Sequence, residues 1–245
     1  MKRILFLLYG IISYFIFFGT FLYAIGFVGN LFVPKSIDGA NTMPVAKAIL
    51  INASLLLVFA LQHSIMARPA FKRWWTRFIP EPVERSTYVL LASLCLLLMM
   101  WQWQPIGGVV WSIETGMFKT VLLGTYAFGW GLVLLSTFLI NHFDLFGLRQ
   151  TWLYFTGRQY IPLPFRTPLF YRFVRHPLYL GFLIAFWSTP VMTVAHFLFA
   201  ILTTAYVLTA IVFEEKDLVS QFGESYVEYK KNSSRIIPFL KLNSN

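Results

Sequence analysis

The chain has 245 residues, of which 58% are hydrophobic and only 12% are charged. Soluble domains carry about a quarter charged residues, so this composition excludes a soluble protein and predicts one that crosses a membrane several times. The formal net charge of +10 does not require nucleic acid as a partner, because membrane topology and anionic membrane lipids explain a basic excess, and the sequence contains no nucleic-acid motif.

Four apolar runs in the first part of the chain are long enough to cross a bilayer. They cover roughly residues 4–28, 47–66, 87–104 and 119–141. The first run begins like a signal peptide, but it is too long and lacks a small-residue cleavage site, so we interpret it as a retained helix. The single Cys95 excludes an internal disulfide.

The fifth apolar run, residues 178–213, is too long for one crossing. As a single helix it would extend about 54 Å, almost twice the hydrocarbon thickness. Pro190 removes a backbone donor and disrupts a helix, so this run is predicted to fold back with a short first arm. We therefore expect an all-α polytopic membrane helical bundle of about five to six transmembrane segments, the last two forming a proline-broken hairpin.

The placement of lysine and arginine orients these segments, because cytoplasmic loops carry the basic excess. With the N-terminus inside and a returning hairpin, seventeen of the twenty basic residues face the cytoplasm. Both termini are therefore predicted to be cytoplasmic. The expected organisation is a single integral membrane domain over 1–245, comprising four spans in 1–141, a cytoplasmic loop over 142–177, the hairpin over 178–213 and a cytoplasmic tail over 214–245.

The hairpin begins with a polar stretch, RFVRHPLYLGF. A residue before proline disfavours helix, so His176 is expected to be extended and Pro177 to take the first helical position. The amides of this helix start, together with Arg175, favour an anion. Gly181 lies one turn further on and would leave room for a ligand close to the backbone, and Tyr179 offers a ring for stacking.

Carboxylates follow the other end of the hairpin, on the same predicted side of the membrane. Glu214 and Glu215 are costly at the edge of an apolar helix unless they are paired or functional. Opposite Arg175, they suggest a composite pocket. Two alternatives stay open: Arg172 and Arg175 are ordinary positive-inside anchors with Tyr179 in an aromatic belt, or Arg175 forms a structural salt bridge with one of the glutamates.

These elements occur in the order of a known signature. Roughly residues 170–240 resemble the C-terminal signature of the isoprenylcysteine carboxyl methyltransferase superfamily. The matching elements are RHPLYLG, the broken hairpin, EEKDL and FGESYVEY. The chain also resembles the bacterial membrane methanethiol S-methyltransferases, which belong with the nitrite/nitric-oxide-regulon U-type membrane proteins. The stretches that carry this resemblance are LQHSIMARPAFKRWWTRFIPEPVERSTYVLLASL, WQWQP and NHFDLFGLRQ. This second resemblance spans most of the chain.

The resemblance implies a methyltransferase of the bacterial inner membrane with S-adenosylmethionine as cofactor. The cofactor's adenine and sulfonium favour aromatic faces, and its ribose and amino group favour carboxylates. No Gly-rich Rossmann motif follows a predicted strand, which excludes a soluble-type methyltransferase domain. The positions that match the signature, and are therefore the implied cofactor-binding residues, are Arg175, His176, Pro177, Tyr179, Gly181, Glu214, Glu215, Tyr226 and Tyr229.

The resemblance further implies methylation of a small volatile thiol, methanethiol, to dimethyl sulfide. Both compounds partition into apolar surroundings, which suits a membrane enzyme. Two alternatives are a methyltransferase for a larger lipophilic acceptor, isoprenylcysteine-like or lipid, and a non-enzymatic or haem-binding membrane protein. The haem alternative arises from four histidines and many aromatic residues in a helical bundle, and it agrees with the placement of His63, His142 and His176 at the same predicted membrane edge. The sequence does not predict an oligomeric state.

Methyl transfer to a thiol requires alignment and exclusion of water more than acid or base chemistry. Because the thiolate is the nucleophile, a base or a positive field near the thiol would help. The candidates for this role are His63, His142, Asp144 and Arg149. Alternatively, His63 only bonds a neighbouring helix, and the other three terminate the fourth span with polar and charged groups. No metal site is assigned.

Overall fold

The computed structural model describes residues 1–113 and 115–238. Within these residues, five helices are long and apolar enough to cross a membrane: α1 (Lys2–Gly29), α2 (Val45–Ala67), α4 (Glu81–Gln102), α5 (Gly116–Ile140) and α9 (Val194–Phe222). The first four overlap the four predicted spans, which are confirmed. Helices are expected there because backbone polar groups in lipid must be bonded internally.

Shorter elements connect or follow these helices. They are α3 (Pro69–Trp75), α6 (His142–Leu145), α7 (Leu148–Phe155), α8 (Pro177–Trp187), α10 (Glu224–Asn232), a 3-10 helix over Leu169–Arg172, and the strands β1 (Val109–Ser112) and β2 (Val191–Thr193). The predicted all-α membrane bundle is therefore confirmed.

The chain divides into two compact units. The first comprises Met1–Gly108, His142–Pro162 and Thr193–Leu198; the second comprises Val109–Asn141, Leu163–Met192 and the chain from Phe199 onward. Each unit is assembled from segments that are distant in sequence. A single domain over 1–245 remains a prediction.

In the first unit, α1, α2, α4 and α7 pack together. A buried cluster of Met66, Tyr88 and Val89 joins α2 to α4. Helix α1 approaches α7 closely at Gly10, where a Cβ would lie 2.5 Å from the hydroxyl oxygen of Thr151. This packing holds α7, and the predicted thiol-side residues next to it, against α1.

In the second unit, α5 and α8 pack closely through two glycines. A Cβ on Gly181 would lie 2.8 Å from both the backbone oxygen of Gly129 and the backbone nitrogen of Val133. Small residues allow such close approach between membrane helices. The room predicted beside Gly181 for a ligand is thus filled by α5. This glycine has a packing role in the structure, and a role in cofactor binding stays a prediction.

The proline-broken hairpin is confirmed. With 11 residues, α8 is about 16 Å long and too short to cross a membrane. It ends at Trp187, and Pro190 lies in the non-helical link to β2. The Trp187 indole nitrogen donates to the Thr204 hydroxyl over 3.0 Å, and Tyr179 donates to Glu214 over 2.8 Å, so the two arms run antiparallel.

Two features differ from the expectation. First, β1 and β2 form a two-stranded sheet, which the hydropathy of the sequence did not predict. Second, α9 continues to Phe222, so the predicted boundary at residue 213 between hairpin and tail falls inside a helix. A helix of 29 residues is about 44 Å long and extends beyond the hydrocarbon. Residues 239–245 of the predicted tail lie outside the described residues.

Candidate cofactor site

The RHP motif forms a helix start, as predicted. Pro177 lies in the first turn of α8, and His176 precedes the helix with φ −125° and ψ 59°. The backbone of His176 is therefore non-helical but not fully extended. The amides of Arg175 and His176 donate to the carbonyl oxygens of Ser234 and Arg235 over 2.8 and 3.2 Å. This pairing places SSRIIP beside RHP.

The buried carboxylate of Glu215 lies where α9 meets these two segments. Its side chain is 3% exposed. The Arg175 Nε donates to one carboxylate oxygen over 2.7 Å, and the Lys230 Nζ lies 3.2 Å from the other. His176 Nε2 and an Arg235 guanidinium nitrogen lie at 3.3 and 3.5 Å. A buried carboxylate is costly unless paired, so these neighbours allow Glu215 to lie inside the protein.

Arg175 is held by the protein through its Nη1 as well as its Nε. Its Nη1 donates to the carbonyl oxygens of Lys230, over 3.1 Å, and of Ser233. The salt bridge between Arg175 and Glu215, which the sequence left open as an alternative, is therefore present and 2.7 Å long. Because it links α9 to the helix start and to the end of α10, this pair fixes the shape of the site.

Glu214, the adjacent carboxylate, has different surroundings. The Tyr179 hydroxyl donates to its Oε2 over 2.8 Å, and His176 Nδ1 lies 3.9 Å away. The Glu214 side chain is 39% exposed. It is therefore oriented by Tyr179 and still has room for a ligand.

Tyr226 and Tyr229, the two tyrosines of FGESYVEY, belong to an aromatic cluster. The ring centroid of Phe165 lies 5.2 Å from Phe222, 5.7 Å from Tyr226 and 5.4 Å from Tyr229. Such separations are typical of favourable aromatic pairs. Sequence reasoning missed Phe165, which stands in a polar loop where no pattern marks it.

The phenols of this cluster are neutral at physiological pH. Burial raises the pKa of Tyr226, and the negative charges of Glu215 and Glu214 raise it further. Burial also raises the pKa of Tyr229 to about 12. The Tyr229 hydroxyl donates to the carbonyl oxygen of Tyr171. Both phenols are therefore uncharged; Tyr226 is buried at 2% exposure, and a role for it in contacting the cofactor stays a prediction.

A recess of about 310 Å³ opens at this cluster. Its wall combines aromatic, cationic, acidic and amide side chains: Phe165, Tyr229, Arg172, Glu228 and Asn232. This combination suits a ligand that has both an aromatic base and charged groups.

The residues predicted for the thiol side lie in the first unit. His142 is buried, and its Nε2 lies 2.9 Å from the hydroxyl oxygen of Tyr14. The ring of Phe146 packs against the imidazole at 4.8 Å between centroids. Burial lowers the pKa of His142. Its imidazole is therefore neutral at physiological pH.

Asp144 and Arg149 pair with each other. Arg149 Nη1 donates to Asp144 Oδ1 over 2.7 Å, and Nη2 donates to the carbonyl oxygen of Ile161 over 3.1 Å. The guanidinium also lies 5.1 Å from the ring centroid of Tyr160. These contacts fasten the loop after α7 to the start of that helix.

His63 lies between two aromatic rings, with centroid separations of 5.3 Å to both Phe59 and Tyr88. The ring contact with Tyr88 joins α2 to α4. Both interpretations of His63, a role near the thiol and a hydrogen bond to a neighbouring helix, stay predictions. Among residues 1–113 and 115–238, no group of three or more His, Cys, Asp and Glu side chains is placed to hold a metal ion.

Comparison with known proteins identifies relatives of this chain. The methanethiol S-methyltransferase of Crocosphaera subtropica is 54% identical over 98% of this chain and 94% of the relative. That of Mycobacterium tuberculosis is 50% identical over 98% of both. Nurim of Bos taurus is 30% identical over 68% of this chain and 66% of its own length. No protein-family model and no solved structure matches.

The fold and the site define a multi-pass membrane protein with a polar, aromatic-lined site at the ends of its last two helical arms. The chain belongs to the methanethiol S-methyltransferase family. The family resemblance read from the motifs is therefore confirmed.

Proposed function

We propose that this chain transfers the methyl group of S-adenosylmethionine to the sulfur of methanethiol, leaving S-adenosylhomocysteine and releasing dimethyl sulfide. Membership of the family over nearly the full chain supports this activity. The structural observation that carries it is Glu214, a carboxylate oriented by Tyr179, partly exposed, and close enough to Tyr226 to raise the pKa of that phenol.

The residues of the second unit fit the cofactor, which when bound supplies an electrophilic methyl group on a sulfonium. Glu214 accepts hydrogen bonds from an amino group or from ribose hydroxyls. The faces of Phe165 and Tyr229 suit adenine, and aromatic faces also attract a sulfonium. Arg172 in the recess wall is a cation suited to a carboxylate.

Of the remaining predicted cofactor residues, Arg175 and Glu215 act through the shape of the site. The Arg175 Nε and Nη1 are occupied by the Glu215 carboxylate and by the carbonyl oxygens of Lys230 and Ser233. Glu215 is enclosed by four cationic or imidazole neighbours. We therefore assign this pair to positioning, whereas Glu214 contacts the cofactor.

The thiol must lose its proton because the thiolate is the nucleophile. His142 is the best-suited acceptor of the four thiol-side candidates. Its imidazole is neutral, since burial lowers its pKa. The Asp144 carboxylate is already paired with Arg149, and Arg149 is a cation that cannot accept a proton. His63 lies inside the membrane-spanning helix α2, whereas His142 follows the end of α5. In this proposal the sulfhydryl proton passes to the His142 imidazole.

We further propose that both termini face the cytoplasm of a bacterial inner membrane. The basic excess in the loops supports this orientation. Fusions of a cytoplasm-active fluorescent protein and of a periplasm-active phosphatase to the C-terminus test it. Fluorescence without phosphatase activity is expected, and the reverse result would contradict the orientation.

Headspace gas chromatography tests the proposed activity. Purified full-length protein in detergent receives methanethiol and S-adenosylmethionine, and dimethyl sulfide is measured over time. The wild type and a Glu224→Gln control should produce dimethyl sulfide, because Glu224 is exposed at the start of α10. Glu214→Gln should produce little. Absence of product from a wild-type protein that binds S-adenosylmethionine would overturn methanethiol as the acceptor.

A further inference from the structure

A second recess, of about 280 Å³, lies between α9 and the C-terminal segment. One wall is a single face of α9, with residues spaced three and four apart. The lining residues are Val212, Glu215, Lys216, Val219, Lys230 and Arg235. Three cations line this recess against one carboxylate, and that carboxylate is already shared with Arg175 and His176. The recess therefore has an excess of positive charge.

The Arg235 side chain lines this recess, is 36% exposed and is only partly neutralised by the protein. One guanidinium nitrogen lies 3.5 Å from the Glu215 carboxylate. Its Nε, in contrast, is buried and has no hydrogen-bond partner among the residues the structure describes. The partly exposed end of the guanidinium therefore keeps hydrogen-bond donors for an anionic oxygen in the recess.

The position of the recess along α9 indicates the source of that anion. The apolar run of α9 ends at Phe213, which is 50% exposed, and Val212 in the recess wall is 41% exposed. Lys216, one turn after Val212, lies over the Phe213 ring at 5.8 Å from its centroid. The cations thus stand where the helix leaves the hydrocarbon. Basic clusters at this level attract anionic lipid headgroups.

We propose that this recess binds the phosphate of an anionic phospholipid, held by Lys216, Lys230 and Arg235, with its acyl chains along the exposed apolar surface of α9. A free phosphate ion offers the same oxygens but would not use Val212 and Phe213. This site is separate from the recess assigned to the cofactor and does not depend on the proposed methyl transfer.

Native mass spectrometry of the full-length protein in detergent tests this site. The probes are dioctanoyl phosphatidylglycerol, dioctanoyl phosphatidylcholine and inorganic phosphate, each titrated separately. The test variant is Lys216→Glu, and the matched control is Lys231→Glu, which makes the same charge change at an exposed position of α10 outside the recess. Equal melting temperatures of both variants and the wild type establish that they are folded alike.

We expect the wild type and Lys231→Glu to retain one phosphatidylglycerol and to bind phosphatidylcholine and phosphate much more weakly. Lys216→Glu should bind phosphatidylglycerol about tenfold or more weakly, because one attractive charge becomes repulsive. Equal binding of phosphatidylglycerol and phosphatidylcholine would overturn the proposal, as would an equal loss in both variants. Displacement of phosphatidylglycerol by S-adenosylmethionine would also overturn it, because the recess would then belong to the cofactor.

Discussion

Glu214 and Glu215 are adjacent in α9, but they occupy two different regions of the second unit. Glu215 is 3% exposed and has Arg175, His176, Lys230 and Arg235 around it. Glu214 is 39% exposed and has Tyr179 as its hydrogen-bond donor. A signature that contains both glutamates does not distinguish them, whereas the structure does.

This difference separates two kinds of contribution to one site. In the closed region around Glu215, the carboxylate and Arg175 are paired within the protein and maintain its shape. At the open edge around Glu214, a carboxylate is oriented by the protein and still available to a ligand. Substitutions in the closed region are therefore expected to lower the stability of the fold. Substitutions at the open edge are expected to weaken the binding of a ligand.

The largest effect is expected in the closed region. Glu215→Ala leaves Arg175 buried without its partner, and breaking a buried pair in this way costs about 3–5 kcal/mol. Thermal unfolding in detergent, followed by circular dichroism, measures the loss. The matched substitution Glu214→Ala should cost about 1 kcal/mol or less because only one hydrogen bond is lost. Equal destabilisation by both would remove the distinction between the two regions.

A second stability test uses the glycine contact between α5 and α8, which is outside the region around Glu215. Gly181→Ala introduces a Cβ 2.8 Å from the backbone of α5, and such overpacking costs about 1–3 kcal/mol. Gly131→Ala is the control, since a Cβ on Gly131 meets nothing within 4 Å. The unfolding temperatures of the two variants measure both effects. If Gly181→Ala retained full stability but lost cofactor binding, Gly181 would serve the ligand after all.

The open edge is tested by removing the group that orients Glu214. Tyr179→Phe deletes the hydroxyl that donates to the Glu214 carboxylate. We expect S-adenosylmethionine to bind about fivefold more weakly, corresponding to about 1 kcal/mol for one hydrogen bond. The melting temperature should change little. Calorimetric titration gives the affinity, and unchanged binding would show that Tyr179 does not prepare Glu214.

The smallest effect is a pH dependence at the aromatic cluster. The pKa of Tyr229 is about 12 in the folded protein and about 10 when unfolded, so the folded state favours the protonated phenol. The contribution to stability is present below pH 10 and is lost as the pH rises from 10 to 12. Melting temperatures across this range should fall less steeply for Tyr229→Phe than for the wild type. Identical slopes would contradict the assignment.

The sequence predicted the elements whose signals are local. Apolar runs identified the spans, and Pro190 marked the link between α8 and α9. Pro177 marked the start of α8, because proline suits a first helical turn. The salt bridge between Arg175 and Glu215 was considered as an alternative because opposite charges were expected at both ends of one hairpin.

Other features depend on contacts between distant parts of the chain. The pairing of Arg175 and His176 with Ser234 and Arg235 uses backbone groups, which leave no pattern in the sequence. The packing role of Gly181 depends on α5, which precedes it by a long loop. The end of α9 could not be placed from hydropathy, because a helix continues into water once it has left the membrane.

The most direct test of the account is the affinity of the purified protein for S-adenosylmethionine, measured by calorimetry with Glu214→Gln and the exposed control Glu224→Gln. We predict that Glu214→Gln weakens binding about tenfold to a hundredfold, since hydrogen bonds to a charged group are lost, while its melting temperature and the affinity of the control stay unchanged. Wild-type affinity in Glu214→Gln would contradict the assignment of the open carboxylate as the cofactor's contact.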